Sequence, residues 1–119
     1  MSKCTTVLLF MFLSTNLVAQ NEGIIKNAKG ALAEINSLIV SEDANLALSE
    51  TQQVEIEKLL VERMIKIRDL KKSEPDEKKF KEARKPILDE YNKKIFVESI
   101  SKEQRMAYQA ANKKAKVKK

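Results

Sequence analysis

The side chains that usually carry chemistry are scarce in this sequence of 119 residues. It has no His and a single Cys, Cys4. A Ser–His or Cys–His nucleophile cannot be assembled, and zinc would lack its usual ligands. Acids are plentiful, at 17 Asp and Glu, but they fall on the flanks of amphipathic segments, where carboxylates stay solvated. No Gly-rich phosphate loop is present, so a nucleotide-driven cycle is not expected. The sequence points away from an enzyme, a metal and a cofactor. Its spacing does offer hydrogen-bond chemistry at helix ends. Ser49-Glu50-Thr51-Gln52 and Ser101-Lys102-Glu103-Gln104 each place a Ser three residues before a Gln, behind an aliphatic residue, Leu48 or Ile100. In such a capping box the Ser oxygen accepts the Gln backbone N–H, and the Gln side chain accepts the Ser backbone N–H.

Charge is the second chemical resource. There are 23 Lys and Arg, and the formal charge is +6. The densest apolar block lies at the N-terminus. Lys3 precedes Val7 to Leu13, a run too short to span a bilayer, and Leu17-Val18-Ala19-Gln20 forms a cleavage zone. Residues 1–20 therefore read as a secretory signal peptide. Cys4 lies before the apolar run and is not a lipoprotein cleavage site. Export would leave a chain without Cys or His, unstapled by disulfides. It would also place the positive charge in the periplasm, where nucleic acid is not the expected partner. Unfolded proteins, acidic partners and anionic envelope surfaces remain. No transmembrane segment is expected once the signal is removed.

Four helical segments and no strand must position these groups. Ile24, Ala28, Ala31, Leu32, Ile35, Leu38 and Ile39 form one stripe over 24–40. A polar break follows at 41–45. The first box opens a second helix, from Ser49 to about Lys72. Its broad apolar face carries Ile56, Leu59, Leu60, Met64, Ile67 and Leu70, and a narrow opposite face carries Val54, Val61 and Ile65. A helix apolar on two sides is sandwiched between neighbours or shared with a second subunit. Ser73 to Asp76 is a turn, with Pro75 suited to the first position of the next helix. That helix runs to about Phe96. Pro86 should kink it, or else divide off residues 76–85 as a separate short helix. The second box opens a fourth helix, and residues 113–119 form a basic tail. The expected fold is all-α: a long antiparallel helical hairpin with flanking N- and C-terminal helices, in a thin, dimeric bundle. A hairpin centred on residue 74 sets Leu48 level with Ile100, so the two boxes meet at its open end. The same register sets Arg63 level with Arg84.

The repeated pattern of aliphatic, Ser, two variable residues and Gln resembles the twin Leu-Thr-x-x-Gln motifs of the Spy/CpxP family of bacterial envelope proteins. The resemblance covers roughly residues 46–110. Both Thr are Ser here and the second Leu is Ile, substitutions that keep the capping chemistry. It implies an ATP-independent periplasmic chaperone, a curved homodimer whose concave face is basic with apolar patches. On that basis Ile56, Leu60, Arg63, Met64, Ile67, Arg68, Arg84 and Lys85 are the expected client-binding residues. Leu48, Ser49, Gln52, Ile100, Ser101 and Gln104 are the motif positions. A second branch of the family implies the alternative: an adaptor that binds and inhibits the sensor kinase of an envelope-stress response. The metal-sensing relatives are a poor match to a chain without His.

Overall fold

The computed structural model describes the backbone of residues 2–117 and the side chains of 21–117. Four α-helices follow one another: α1 (Ser2–Glu42), α2 (Glu50–Ser73), α3 (Glu77–Lys93) and α4 (Lys102–Val117). A 3-10 turn at Ala44–Leu46 precedes α2, and a π-helical turn at Lys94–Glu98 follows α3. There is no strand among the described residues. The fold is an all-α bundle. Residues 1–20, the expected signal segment, lie outside the described side chains.

Each boundary has a local cause. Asp43 accepts the Asn45 N–H at 2.9 Å and opens the 3-10 turn. Ser49 caps α2. Pro75 biases the residue before it away from helical geometry, and Glu74 closes α2 in an extended conformation. The next helix does not start on Pro75 as expected. Asp76 is its cap, accepting the Lys78 and Lys79 N–H groups at 3.0 and 3.4 Å. A carboxylate satisfies two orphan donors there, whereas Pro at the first position only removes one. Pro86 leaves α3 undivided. It deletes one backbone hydrogen bond, but it and Glu82 are both exposed, so water can take the freed carbonyl.

The π turn has a packing role. Tyr91, Ile95 and Ile100 are all buried, at spacings of four and five. A regular α-helix would rotate residue 100 away from 95. The wider turn brings it back toward the core side. Ser99 Oγ donates to the Lys94 carbonyl at 2.7 Å and closes this turn.

The core is gathered at one end. Ala28, Leu32, Ile35 and Ile39 of α1 meet Leu48, Ile56, Leu59 and Leu60, then Tyr91, Ile95, Ile100 and Ala107. α1 packs on α2 and α4, and α2 packs on α3. Between Leu60 and Tyr91 no residue is fully buried, so the outer halves of α2 and α3 form a thin two-helix arm. The radius of gyration is 18.2 Å, against about 13.5 Å for a compact chain of this length. The narrow second face of α2 is only partly covered: Val61 and Ile65 are half-buried and Val54 is 71% exposed. Residues 113–117 of the basic tail are helical, and Lys114 reaches Glu42 at 2.8 Å. Lys118 and Lys119 lie outside the described residues.

Ile56 is 0% exposed at the centre of this core and Val54 lies on the open side. Ile56→Ala should cost about 2–5 kcal/mol by leaving a cavity. Val54→Ala should change stability by less than about 0.5 kcal/mol. Urea unfolding followed by circular dichroism checks both.

Candidate functional site

The two Ser-x-x-Gln boxes are built as expected, and they are bonded to each other. In the first, Gln52 N–H donates to Ser49 Oγ at 3.1 Å and Ser49 N–H donates to Gln52 Oε1 at 3.0 Å. In the second, Gln104 N–H donates to Ser101 Oγ at 3.1 Å and Ser101 N–H donates to Gln104 Oε1 at 2.9 Å. The side-chain amides then face each other. Gln52 Nε2 donates to Gln104 Oε1 at 2.8 Å, and Gln104 Nε2 donates to Gln52 Oε1 at 3.0 Å. Each remaining N–H goes to a backbone carbonyl: Gln52 to Ser99 at 3.3 Å and Gln104 to Leu46 at 3.0 Å. Gln104 is 6% exposed, yet none of its amide capacity is left unpaired. Leu48 and Ile100 are buried beside this network. Asn36 of α1 adds a clamp that has no local signature, accepting the Leu48 N–H at 2.9 Å.

The residues expected to meet clients are distributed unevenly. Ile56 and Leu60 are core residues, at 0% and 1% exposure, and present nothing to a partner in this conformation. The broad face of α2 is covered there by other elements of the same chain. Met64 and Ile67 are half-buried, and Lys85 is exposed. Arg68 Nη1 donates to Asn21 Oδ1 at 3.1 Å, and its Nε pairs with Asp69 at 3.4 Å.

Arg63 and Arg84 do not meet. Side chains on a helix lean toward its N-terminus. On α2 and α3 that sends the two guanidiniums in opposite directions. Arg63 reaches Asn92 Oδ1 at 3.0 Å. Arg84 lies over the Phe80 ring, with 5.4 Å between its guanidinium carbon and the ring centre. It lines a cleft at the turn together with Lys71, Pro75 and Glu77. Its Nε is buried without a hydrogen-bond partner.

Charge elsewhere is partly neutralised within single helices, by Lys81–Glu77 at 3.6 Å and Lys94–Glu90 at 3.3 Å. Lys66 and Lys94 also lie 5.2 and 5.1 Å from the Tyr91 ring centre. Tyr91 is buried, and its hydroxyl donates to Glu62 at 3.4 Å. Burial pushes the guanidinium of Arg63 below its ordinary pKa, with the nearby Tyr108 opposing. Burial also pushes the Tyr108 phenol up. The Glu34 carboxylate adds to that shift and Arg63 opposes it. Phe96 stacks on Tyr108 with ring centres 4.7 Å apart.

No cluster of His, Cys, Asp and Glu suited to a metal occurs among the described residues. No helix among them is long and apolar enough to cross a membrane. Comparison with known protein families, curated proteins and solved structures finds no match. The class that fold and site define is therefore a helical bundle organised around paired glutamine capping boxes.

Each glutamine holds the other's last acceptor and donor. Gln52→Met or Gln104→Met should cost about 1–3 kcal/mol by stranding polar groups of its partner. The double variant should cost clearly less than the two single costs added together. A double-mutant cycle in urea measures the coupling. The Tyr108 shift predicts a pH dependence. Folding holds the Tyr108 proton more tightly than the unfolded chain does, so its contribution is intact below about pH 10 and falls as pH rises further. Tyr108→Phe should flatten that alkaline loss, read as urea midpoints on either side of about pH 10.

Proposed function

We propose that the protein is an ATP-independent chaperone of the periplasm, of the Spy/CpxP type. Residues 1–20 would be its export signal, and its clients would be unfolded or aggregation-prone proteins. The observation that carries this reading is the reciprocal bonding of Gln52 and Gln104. The twin motif of that family has a counterpart here that acts as one unit. Two isolated capping boxes in an arbitrary helical protein have no reason to share their amides.

The binding surface would be the outer part of the bundle rather than the whole broad face of α2. Met64 and Ile67 are half-buried, and Met is adaptable toward varied apolar segments. Arg63 and Arg68 on α2 and Arg84 and Lys85 on α3 would add positive charge to the same two helices. Long-range attraction from the net positive chain would speed capture of acidic unfolded segments and weaken with salt. A homodimer fits the thin arm, because a second copy would cover apolar surface that one chain leaves half-buried.

Light scattering from an aggregating acidic client, with and without the purified protein and without nucleotide, tests the proposal. Suppression near equimolar ratio, weaker at high salt, is the expected result. No suppression at either salt overturns general chaperoning and favours the alternative of a dedicated adaptor for an acidic sensor-kinase domain. A saturable one-to-one complex with such a domain would identify that adaptor.

A further inference from the structure

A small recess of about 290 Å³ opens where all four helices approach one another. Leu60 and Ile35 are its apolar lining, and Arg63, Asn92, Tyr108 and Glu34 are its polar lining. The donors here have no acid bonded to them. Asn92 Oδ1 is already occupied by Arg63 Nη1, which leaves the Asn92 amide as a donor. Arg63 forms no ion pair among the described residues: the pairs present there involve Arg68, Lys81, Lys94 and Lys114. The Tyr108 hydroxyl makes no hydrogen bond among the described residues. Glu34 lines the same recess, but it is exposed on α1 and does not ion-pair with Arg63.

The geometry points to this recess as a binding site for a peptide carboxylate, held by Arg63 with Asn92 and Tyr108. A carboxylate is acceptor-only and planar, and it matches the guanidinium fork. Half-burial of Arg63 strengthens such a bond relative to one at an exposed lysine. The volume admits a side-chain or terminal carboxylate together with the part of the peptide that carries it. The stacked rings of Phe96 and Tyr108 line one side of it and offer apolar contact to the neighbouring part of the peptide. The inference rests on the peptide-binding reading above and sharpens it. Capture would combine a diffuse positive field with one directional anchor, so acidic clients would be held in preference to equally apolar neutral ones.

Three short unstructured peptides with the same apolar residues test this by calorimetry on the full chain. One carries Glu between blocked ends. One carries Gln in its place. The third carries Gln and a free C-terminal carboxylate. The Glu peptide, the free-terminus peptide or both should bind about tenfold more tightly than the blocked Gln peptide, the size expected of a charge-assisted pair. The preferred peptide identifies which carboxylate is read. Arg63→Met, which keeps the apolar stem, should cut the preference severalfold, to the salt-sensitive remainder that the diffuse field supplies, while leaving the helical circular dichroism unchanged. Should Arg63→Met fail to fold, Glu34→Gln gives an independent reading: removing a like charge from the recess should raise carboxylate affinity severalfold. Equal binding of all three peptides, or a Glu34→Gln variant with unchanged affinity, overturns the inference. Client suppression without carboxylate preference overturns the recess alone. Carboxylate preference without suppression overturns the chaperone reading and keeps the recess.

Discussion

Two primary amides placed face to face govern how this chain is joined. Each glutamine offers two N–H donors and one oxygen able to accept twice. Each oxygen takes its own cap's backbone N–H and one donor from the other amide. Each leftover donor goes to a backbone carbonyl, at Leu46 or Ser99. The linkage thereby ties together the end of the first connection, the start of α2, the end of the π turn and the start of α4. Glu at either position would keep the cap but lose both donors. Asn would be one methylene short. Buried polar networks help specify a structure when every member is satisfied, and this one meets that condition.

The rest of the architecture follows from where that knot is tied. It sits where the chain enters α2 and leaves the π turn, and the apolar core gathers around it. α1 and α4 flank that end and pack on each other, with Leu32, Ile35 and Ile39 of α1 and Ala107 and Ala111 of α4 buried. Nothing comparable anchors the far end, where the turn is held by Asp76 and by the Glu74 cap bond to Leu70 at 2.9 Å. The arm therefore has fewer buried contacts than the base. Local opening requires less free energy where burial is sparse, so the arm is the part of the fold best suited to adapt to a partner. The base is the part that must not move.

Much of this was readable from residue types and spacing. The boxes, the stripe on α1 and the helix count follow from capping chemistry and period, because both are local. Even the meeting of the boxes follows from arm lengths. Four features were not legible, each for a physical reason. The π turn at Lys94–Glu98 is fixed by the need to bury both Ile95 and Ile100, which depends on neighbours far along the chain. Burial of Ile56 and Leu60 could not be told from client-facing exposure, because amphipathicity says which face is apolar and not what covers it. The separation of Arg63 from Arg84 depends on side-chain lean, which a register drawn from residue numbers ignores. Asn36 and Asn92 had no local signature at all. Each is an ordinary polar residue until the fold supplies its partner.

The same contrast between local and distant partners orders the electrostatics. Lys81 and Lys94 are answered by acids four residues away on their own helices, and exposed pairs of this kind contribute little. Such cations still add to the long-range field, but their short-range demand is partly met. Arg63 differs because its surroundings come from four helices and include no paired acid. Its desolvation has already been incurred in folding, and a neutral amide is its hydrogen-bonded partner. A chain can thus carry many positive charges that differ widely in how far their short-range bonding is met. Packing sets that difference, since it can partly desolvate a guanidinium without supplying its counter-charge.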